Sequence, residues 1–485
     1  MNMWRYARFH GSVILAWLAF GVLIGLMVGI WLPFSSLSWV WLLPVMMILV
    51  GAFRSRRWFS VVLVIACGVV FGVVRASGFA EELRELEALR DTKQTIVARI
   101  SQDPTNNNLP NVWQTQLSSV RVGTDKYTGE IFATVLSEKL LRRGDEVRIS
   151  GMLREGFGSF AVTMYRANLE EVLPSNDKLL DFRNSFGEAV RRVVPEPEAS
   201  LGLGFLVGQK SALDPAFEEQ LRTVGLTHIV VASGYNLTVL VRFARRILAR
   251  HSRYLALVSS LGMIVLFVGI SGMSPSMNRA AVVTVLSLVA WYYGRTFHPV
   301  KLILYVAAGS ALAYPTYLWS DLGWMLSFAA FFGVLVVSPL VMITLKSKSK
   351  RLDIGEWPLL RLLVETTSAQ IMTLPILAVT FGNLSVVSLL ANMLVAPVVP
   401  FAMALTALAG MVGWLTSWVW LAVPASTVLA YVVSIVHNLA NIPWASVNVE
   451  VSSAIAIACY VAIGLWVSAL WFRYRQTLES ASIVV

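Results

Sequence analysis

Apolar residues form long unbroken runs toward both ends of the chain and short alternating runs between them. Near the N-terminus three runs, roughly 12–33, 38–53 and 58–76, are each long enough to cross a bilayer. A crossing helix needs about 20 apolar residues, fewer where flanking residues snorkel, so these predict three transmembrane helices. The first run exceeds a signal-peptide core and lacks a small-residue cleavage site, so it is read as an uncleaved helix. The runs resume later and predict nine crossings near 227–245, 254–272, 277–294, 299–314, 322–345, 358–381, 385–411, 414–439 and 452–472. The expected fold class is a polytopic α-helical membrane protein with about twelve transmembrane helices.

Between the two blocks the period shortens. "QTIVARISQ", "VWQTQLSSVRV", "GEIFATVL", "GDEVRISGML" and "GSFAVTMYRANLEEV" are rich in β-branched residues and separated by Gly, Asp, Asn and Pro. Five such strands in about 80 residues predict a small β-barrel of the OB type. Helical spacing returns in "DFRNSFGEAVRRVVP" and "DPAFEEQLRTVG", where Asp214 can cap a helix that has Pro215 at its first position. The expected organisation is 1–77 membrane helices, 78–175 barrel, 176–226 amphipathic helices at the outer membrane face, 227–473 second membrane domain and 474–485 tail.

Composition agrees with this pattern. Of 485 residues, 56% are hydrophobic and 14% charged, too apolar for a soluble globule to cover with polar surface. The net charge of +11 resembles that of a nucleic-acid binder until it is divided along the chain. Residues 78–226 hold 22 acidic and 18 basic side chains, a net of −4, while the remainder holds 6 and 21, a net of +15. The basic excess therefore follows membrane topology. Arg5 and Arg8 place the N-terminus in the cytoplasm. Arg54, Arg56 and Arg57, then Arg242, Arg245, Arg246, Arg250 and Arg253, then Arg295 and Lys301, then Lys346, Lys348, Lys350 and Arg351, and finally Arg473 and Arg475 all fall on the same side. The chain is expected in the cytoplasmic membrane with both termini cytoplasmic and 78–226 extracytoplasmic. Cys67 and Cys459 sit in apolar runs and the five histidines are scattered, so neither a disulfide framework, a metal nor a cofactor is expected.

Four polar segments interrupt the second membrane block. "GQKS" at 208–211 is not a phosphate loop, because Gln209 separates the glycine from the lysine. "GLTHIVVASGYN" carries His228, Ser233 and Asn236 among small residues that let helices approach. "PSMNRA" carries Asn278 and Arg279; an arginine inside a helix end is paired, faces water or snorkels. "PTYLWSDLGWMLSFA" carries Asp321, the only acid of the short external loops before Glu450 and the natural partner for Arg279. The last, 368–401, carries Gln370, Thr373, Asn383 and Asn392 with Pro375, Pro397 and Pro400. Helices broken in this way are tolerated where protein or water satisfies the freed carbonyls. Each residue taken alone is equally a packing or capping group.

In order and spacing these segments resemble the ComEC family of DNA-uptake channels. The segment 203–234 is similar to the family's "GLxHLLAxSG" block, 275–280 to "PSxxRA", 315–329 to "DxGFxLSFxA" and 373–398 to "laNllaxPl". Where the family has "SGLHV" this chain has "SGYNL", with Tyr235 and Asn236 in place of Leu-His. The resemblance implies transport of single-stranded transforming DNA across the cytoplasmic membrane through a passive, non-enzymatic channel. It implies that His228, Ser233, Asn236, Asn278, Arg279, Asp321, Gln370, Asn392 and Pro397 shape that channel. The implied partners are single-stranded DNA, membrane lipid, an extracytoplasmic DNA receptor, a separate nuclease and a cytoplasmic ATP-driven motor. Many members carry a C-terminal metallo-β-lactamase-like domain; no HxHxDH cluster occurs here, and no nuclease activity is expected.

A channel for one strand must be tolerant of sequence, so stacking and backbone contacts are expected in preference to base readout. On the barrel, Trp113, Arg121, Arg148, Tyr165 and Arg166 are the candidate DNA contacts, although residues 92–173 balance 10 bases against 9 acids. A second reading is a secondary transporter for a small solute, which would use an occluded midplane pocket in place of a continuous passage. A third, an intramembrane hydrolase, would need Ser233 and His228 within hydrogen-bond reach.

Overall fold

The computed structural model describes residues 11–31, 57–105, 111–209, 213–230, 233–272, 274–295, 298–348, 357–416 and 418–480. The crossing expected near 38–53 lies outside them, as do Arg5, Arg8, Arg54, Arg56, Lys350 and Arg351.

Helices α1 (Gly11–Gly29) and α2 (Arg57–Glu87) interlock through glycine. Gly21, Gly25 and Gly29 recur every fourth residue on α1, and Gly68 and Gly72 answer them on α2. A methyl group at Gly25 would clash with the Val69 carbonyl oxygen, and one at Gly68 with that of Leu18. Backbones in lipid approach this closely only over small residues. Gly21 faces Ile65, Gly25 faces Val69 and Gly29 faces Val73, so the pair is parallel and the intervening chain joins its opposite ends. Over its 31 residues α2 outruns a bilayer. Its far end places Leu86, fully buried, in the core of the barrel.

The barrel is built from β1 (Lys93–Ile100), β2 (Val112–Val122), β3 (Ile131–Leu136), β4 (Glu146–Glu155) and β5 (Val162–Leu173). Each strand overlaps a segment the alternation predicted, with β1, β4 and β5 extending one or two residues beyond it and Ile131, Ala133 and Val135 pointing inward along β3. The order β1-β2-β3-β5-β4 closes back on β1, with a two-residue strand, Asp125–Lys126, appended to β2. All pairings in the closed ring are antiparallel except β3 with β5.

The chain then forms α3 (Lys178–Arg191), α4 (Glu198–Val207), α5 (Pro215–Thr223) and α6 (Thr227–Val230). Asp177 caps α3 by accepting from the Leu179 and Leu180 amides at 3.0 and 3.2 Å. Asp214 stands at the cap position of α5 with Pro215 inside, but its carboxylate makes no capping bond. Within 176–226, read from sequence as amphipathic surface helices, α4 differs: eight of its ten residues are buried. Gly202 packs against Thr406 and Leu429, and Gly204 against Val230.

The second block continues with α7 (Gly234–Leu248), α8 (Arg253–Ser271), α9 (Pro275–Tyr292), α10 (Pro299–Ala313), α11 (Tyr317–Ser320), α12 (Leu322–Phe332) and α13 (Ser338–Lys348). It ends with α14 (Pro358–Phe381), β6 (Asn383–Ser385), α15 (Ser388–Val395), α16 (Val399–Leu415), α17 (Val423–Ala440), β7 (Ser446–Asn448) and α18 (Ser453–Ser480). A π-turn, Gly333–Val337, joins α12 to α13 where Gly333 abuts the Ser368 backbone.

Among the described residues seven helices are long and apolar enough to cross a membrane, or eight if the bent pair α15–α16 is one span. The protein is therefore a membrane protein with an inserted barrel. Three expected crossings do not meet that measure. The stretch 227–245 is interrupted, because α6 stops at Val230 and Ser233 caps a new helix that ends in Arg245 and Arg246. α9 has 18 residues but carries Arg279, and α10 has only 15.

The barrel is seated on one end of this block. Arg143, buried, donates to the Ile270 and Gly269 carbonyls at 3.2 and 3.1 Å and so satisfies the C-terminus of α8. Gly272, at φ +103°, leaves room for that guanidinium. Arg183 of α3 holds Asp103 with two bonds of 2.7 and 2.8 Å.

Candidate functional site

The polar residues nominated from sequence fall into two groups. The first lies under the barrel. Arg279, 3% exposed, donates to the Gly323 carbonyl at 2.8 Å and stands 3.8 Å from the Asp321 carboxylate. Asp321 also caps α12 through the Trp324 amide at 3.0 Å, so the capping and pairing readings both hold. The Nε and second amino nitrogen of Arg279 are buried with no hydrogen-bond partner, so the guanidinium is only half satisfied. The barrel loop brings Glu130 to the same place. Burial and the neighbouring Asp321 charge push its carboxyl up from the usual range. Tyr317 closes the group, its phenol also pushed up, chiefly by burial. Asn278 is exposed on the first turn of α9.

The second group surrounds the break between α15 and α16. Ser388 is its hub: its hydroxyl accepts from the Gln370 amide at 3.1 Å and its carbonyl from the Asn392 amide at 2.8 Å. Gly225, at φ +72°, presses against Ser388 and Ser385, and its backbone lies beside His228. Asn236, fully buried, donates to the Phe205 and Ile229 carbonyls at 3.1 and 3.3 Å and ties α4, α6 and α7 together. Its amide oxygen is left without a partner. Ser233 caps α7 through the Asn236 amide at 3.4 Å. Tyr235 donates its hydroxyl to the Ala396 carbonyl at 2.9 Å, beside the exposed Pro397 at a 52° bend. A tyrosine in place of the family's leucine thus satisfies a carbonyl freed by the broken helix.

Sequence reasoning paired Arg279 with Asp321 and found Gln370 and Asn392. It missed Ser388, Tyr235 and Glu130. The serine and the acid carry no signal beyond residue type, since only the fold brings 388 to 370 and 130 to 321.

On the barrel, three of the five nominated DNA contacts are occupied. Trp113 donates its indole N–H to the Ser137 carbonyl at 3.2 Å and packs on the barrel core. Arg121 is paired with Glu146, and Arg148 with Glu171 at 3.5 Å. Tyr165 and Arg166 remain exposed side by side. An irregularity between Ser150 and Leu153, with Arg166 at φ +53°, turns two consecutive side chains of β5 outward. Met152 and Arg154 of β4 and Lys93 of β1, which pairs with Met152, are exposed on the neighbouring strands.

A cavity of about 570 Å³ lies elsewhere, between α5 and α17, lined by Glu196, Pro197, Leu213, Asp214, Phe217, Gln220, Val433 and His437. None of the nominated residues lines it. Among the described residues no three His, Cys, Asp or Glu side chains are grouped to hold a metal ion.

Comparison with curated proteins and with solved structures gives no significant match. A protein-family comparison does: the competence protein family matches residues 205–474, more than half of the chain and every member of both polar groups except Glu130. With the half-paired arginine, the hub at the broken helix and a family match across both, the chain belongs to the competence protein family.

Proposed function

We propose that the protein carries single-stranded transforming DNA across the cytoplasmic membrane, as a passive channel driven by a separate motor. Family membership supports a role in DNA uptake. The observation that carries the finer reading is the broken pair α15–α16, whose freed backbone and polar hub lie within the matched span. A phosphate-bearing strand cannot enter hydrocarbon, so its path must be lined by water or donors, and broken backbone occurs only where such a path or protein surrounds it.

The barrel is of the OB type on this reading, because its ring order and single parallel pairing are those of that five-stranded design. Its exposed Lys93, Met152, Arg154, Tyr165 and Arg166 combine cations with one stacking ring, which suits a strand of any sequence. The basic clusters then face the cytoplasm and the barrel faces outward, where the DNA receptor and the nuclease that removes the second strand would act. The chain has no enzymatic step in this scheme and uses no cofactor.

The test is genetic. In a strain lacking the protein, the wild-type chain should restore transformation. Arg279→Ala, Asp321→Ala and deletion of 92–173 should block arrival of labelled DNA in the cytoplasm while surface binding persists. Normal transformation without the protein refutes the assignment.

A further inference from the structure

Composition permits the broken pair α15–α16 and the helix Val419–Ala440 to cross the membrane, one in each direction. The contacts at their ends do not. We infer that residues 382–450 form a layer inserted part-way from the barrel side, with no crossing in either leg.

Three reference points fix this. The first is the end of α16. Trp414 donates its indole N–H to the Ser185 hydroxyl at 3.3 Å, Phe186 fills the space over Gly410, and a methyl at Gly413 would clash with the Ala189 carbonyl oxygen. Ser185, Phe186 and Ala189 belong to α3, which is bound to the barrel through Arg183 and Asp103. The exposed face of α3 holds Asp181 and Glu188, so the helix cannot lie in hydrocarbon. The end of α16 is therefore at the barrel-side water interface, the same end as Gly269 of α8, against which Leu179 of α3 packs.

The second point is the end of α17. It packs on α5, and Gln220 meets His437 at 3.4 Å. The outer face of α5 carries Glu218, Glu219 and Arg222. Gly225, just past α5, presses against Ser385 of β6, the strand at the end of α14 that returns toward the level of Asp321 and the barrel. Hence α5 lies on the side of α3, and the two ends of α17 lie on that side too.

The third point is β6 paired with β7, Asn383 to Asn448 and Ser385 to Ser446, which brings the start and the finish of the segment together. Charge does not oppose the arrangement, since no Lys or Arg occurs from 362 to 472. The turn at 414–420 carries Trp414, Trp418 and Trp420, the residues that favour a membrane–water boundary.

Crossings near 385–411 and 414–439 then drop out of the expected set, an even change that leaves the termini on one side. Both the α15–α16 break and the 570 Å³ cavity belong to the barrel-side mouth. The inference needs only that the protein sits in a membrane, so it survives if the DNA reading fails.

The test uses the full chain with Cys67→Ala and Cys459→Ser, and one new cysteine at a time. A membrane-impermeant maleimide is applied to intact spheroplasts and again after permeabilisation. Trp418→Cys should react before permeabilisation, as Leu140→Cys on the barrel does, and Arg250→Cys only after it. Reaction of Trp418→Cys only after permeabilisation overturns the inference. If lipid shields position 418 in both states, the pair Ser185→Cys and Trp414→Cys decides: a disulfide formed in the membrane supports the layer, and none overturns it.

Discussion

Arg279 is buried with one full hydrogen bond and a carboxylate at 3.8 Å, so its buried charge is offset chiefly by Asp321. Removing one partner of a buried pair costs about 3–5 kcal/mol, whereas replacing both by apolar groups is often close to neutral. Arg279→Ala should therefore lower the thermal stability of the purified protein more than Arg279→Met combined with Asp321→Leu. A double variant that melts as low as the single one contradicts this. Asn236 is a second such residue. Asn236→Leu strands the Phe205 and Ile229 carbonyls and should cost about 1–3 kcal/mol in a denaturation series. The first pairing was legible in the sequence, because Asp321 had no rival acid nearby. The partners of Asn236 were not, because backbone carbonyls freed by a turn carry no residue signal.

At the scale of elements the barrel strands were legible by their period, and each formed within two residues of where alternation placed it. Helix α4 was not, since its neighbours in sequence are charged and only tertiary packing shows it enclosed. The glycine interlock of α1 and α2 is written in a spacing of four, although apolar length alone gives no reason to read it. Gly25→Leu would drive a side chain into the Val69 backbone. It should separate the helices and lower the melting temperature of the purified protein, whereas Gly11→Leu, where an added side chain meets nothing within 4 Å, should leave it unchanged. The barrel seat has a pH dependence of determined sign. Glu130 holds its proton more tightly when docked, so the docked form binds more protons than an undocked one. Docking should weaken as pH rises from the ordinary carboxylate range through the raised value of Glu130, and change no further above it. Protease sensitivity of the 156–175 region should rise over that interval in the wild type and stay flat in Glu130→Gln.

For the whole molecule, dividing the charge along the chain separated an aqueous insert from a basic membrane block and assigned the excess to topology. That much, with the ordered motifs, was legible without coordinates. The number of crossings was not, because hydropathy cannot distinguish a helix that traverses the bilayer from one that lies half-sunk on its own protein. The central claim is passage of a single strand, and reconstitution tests it most directly. The full chain is placed in sealed vesicles containing a labelled single-strand-binding protein, and DNA is added outside with an opposing trap. Single strands should raise the internal signal above that of protein-free vesicles, duplex of equal length should not, and Arg279→Ala should remove the response. Vesicles that pass a small solute but give no signal with single-stranded DNA would contradict the claim.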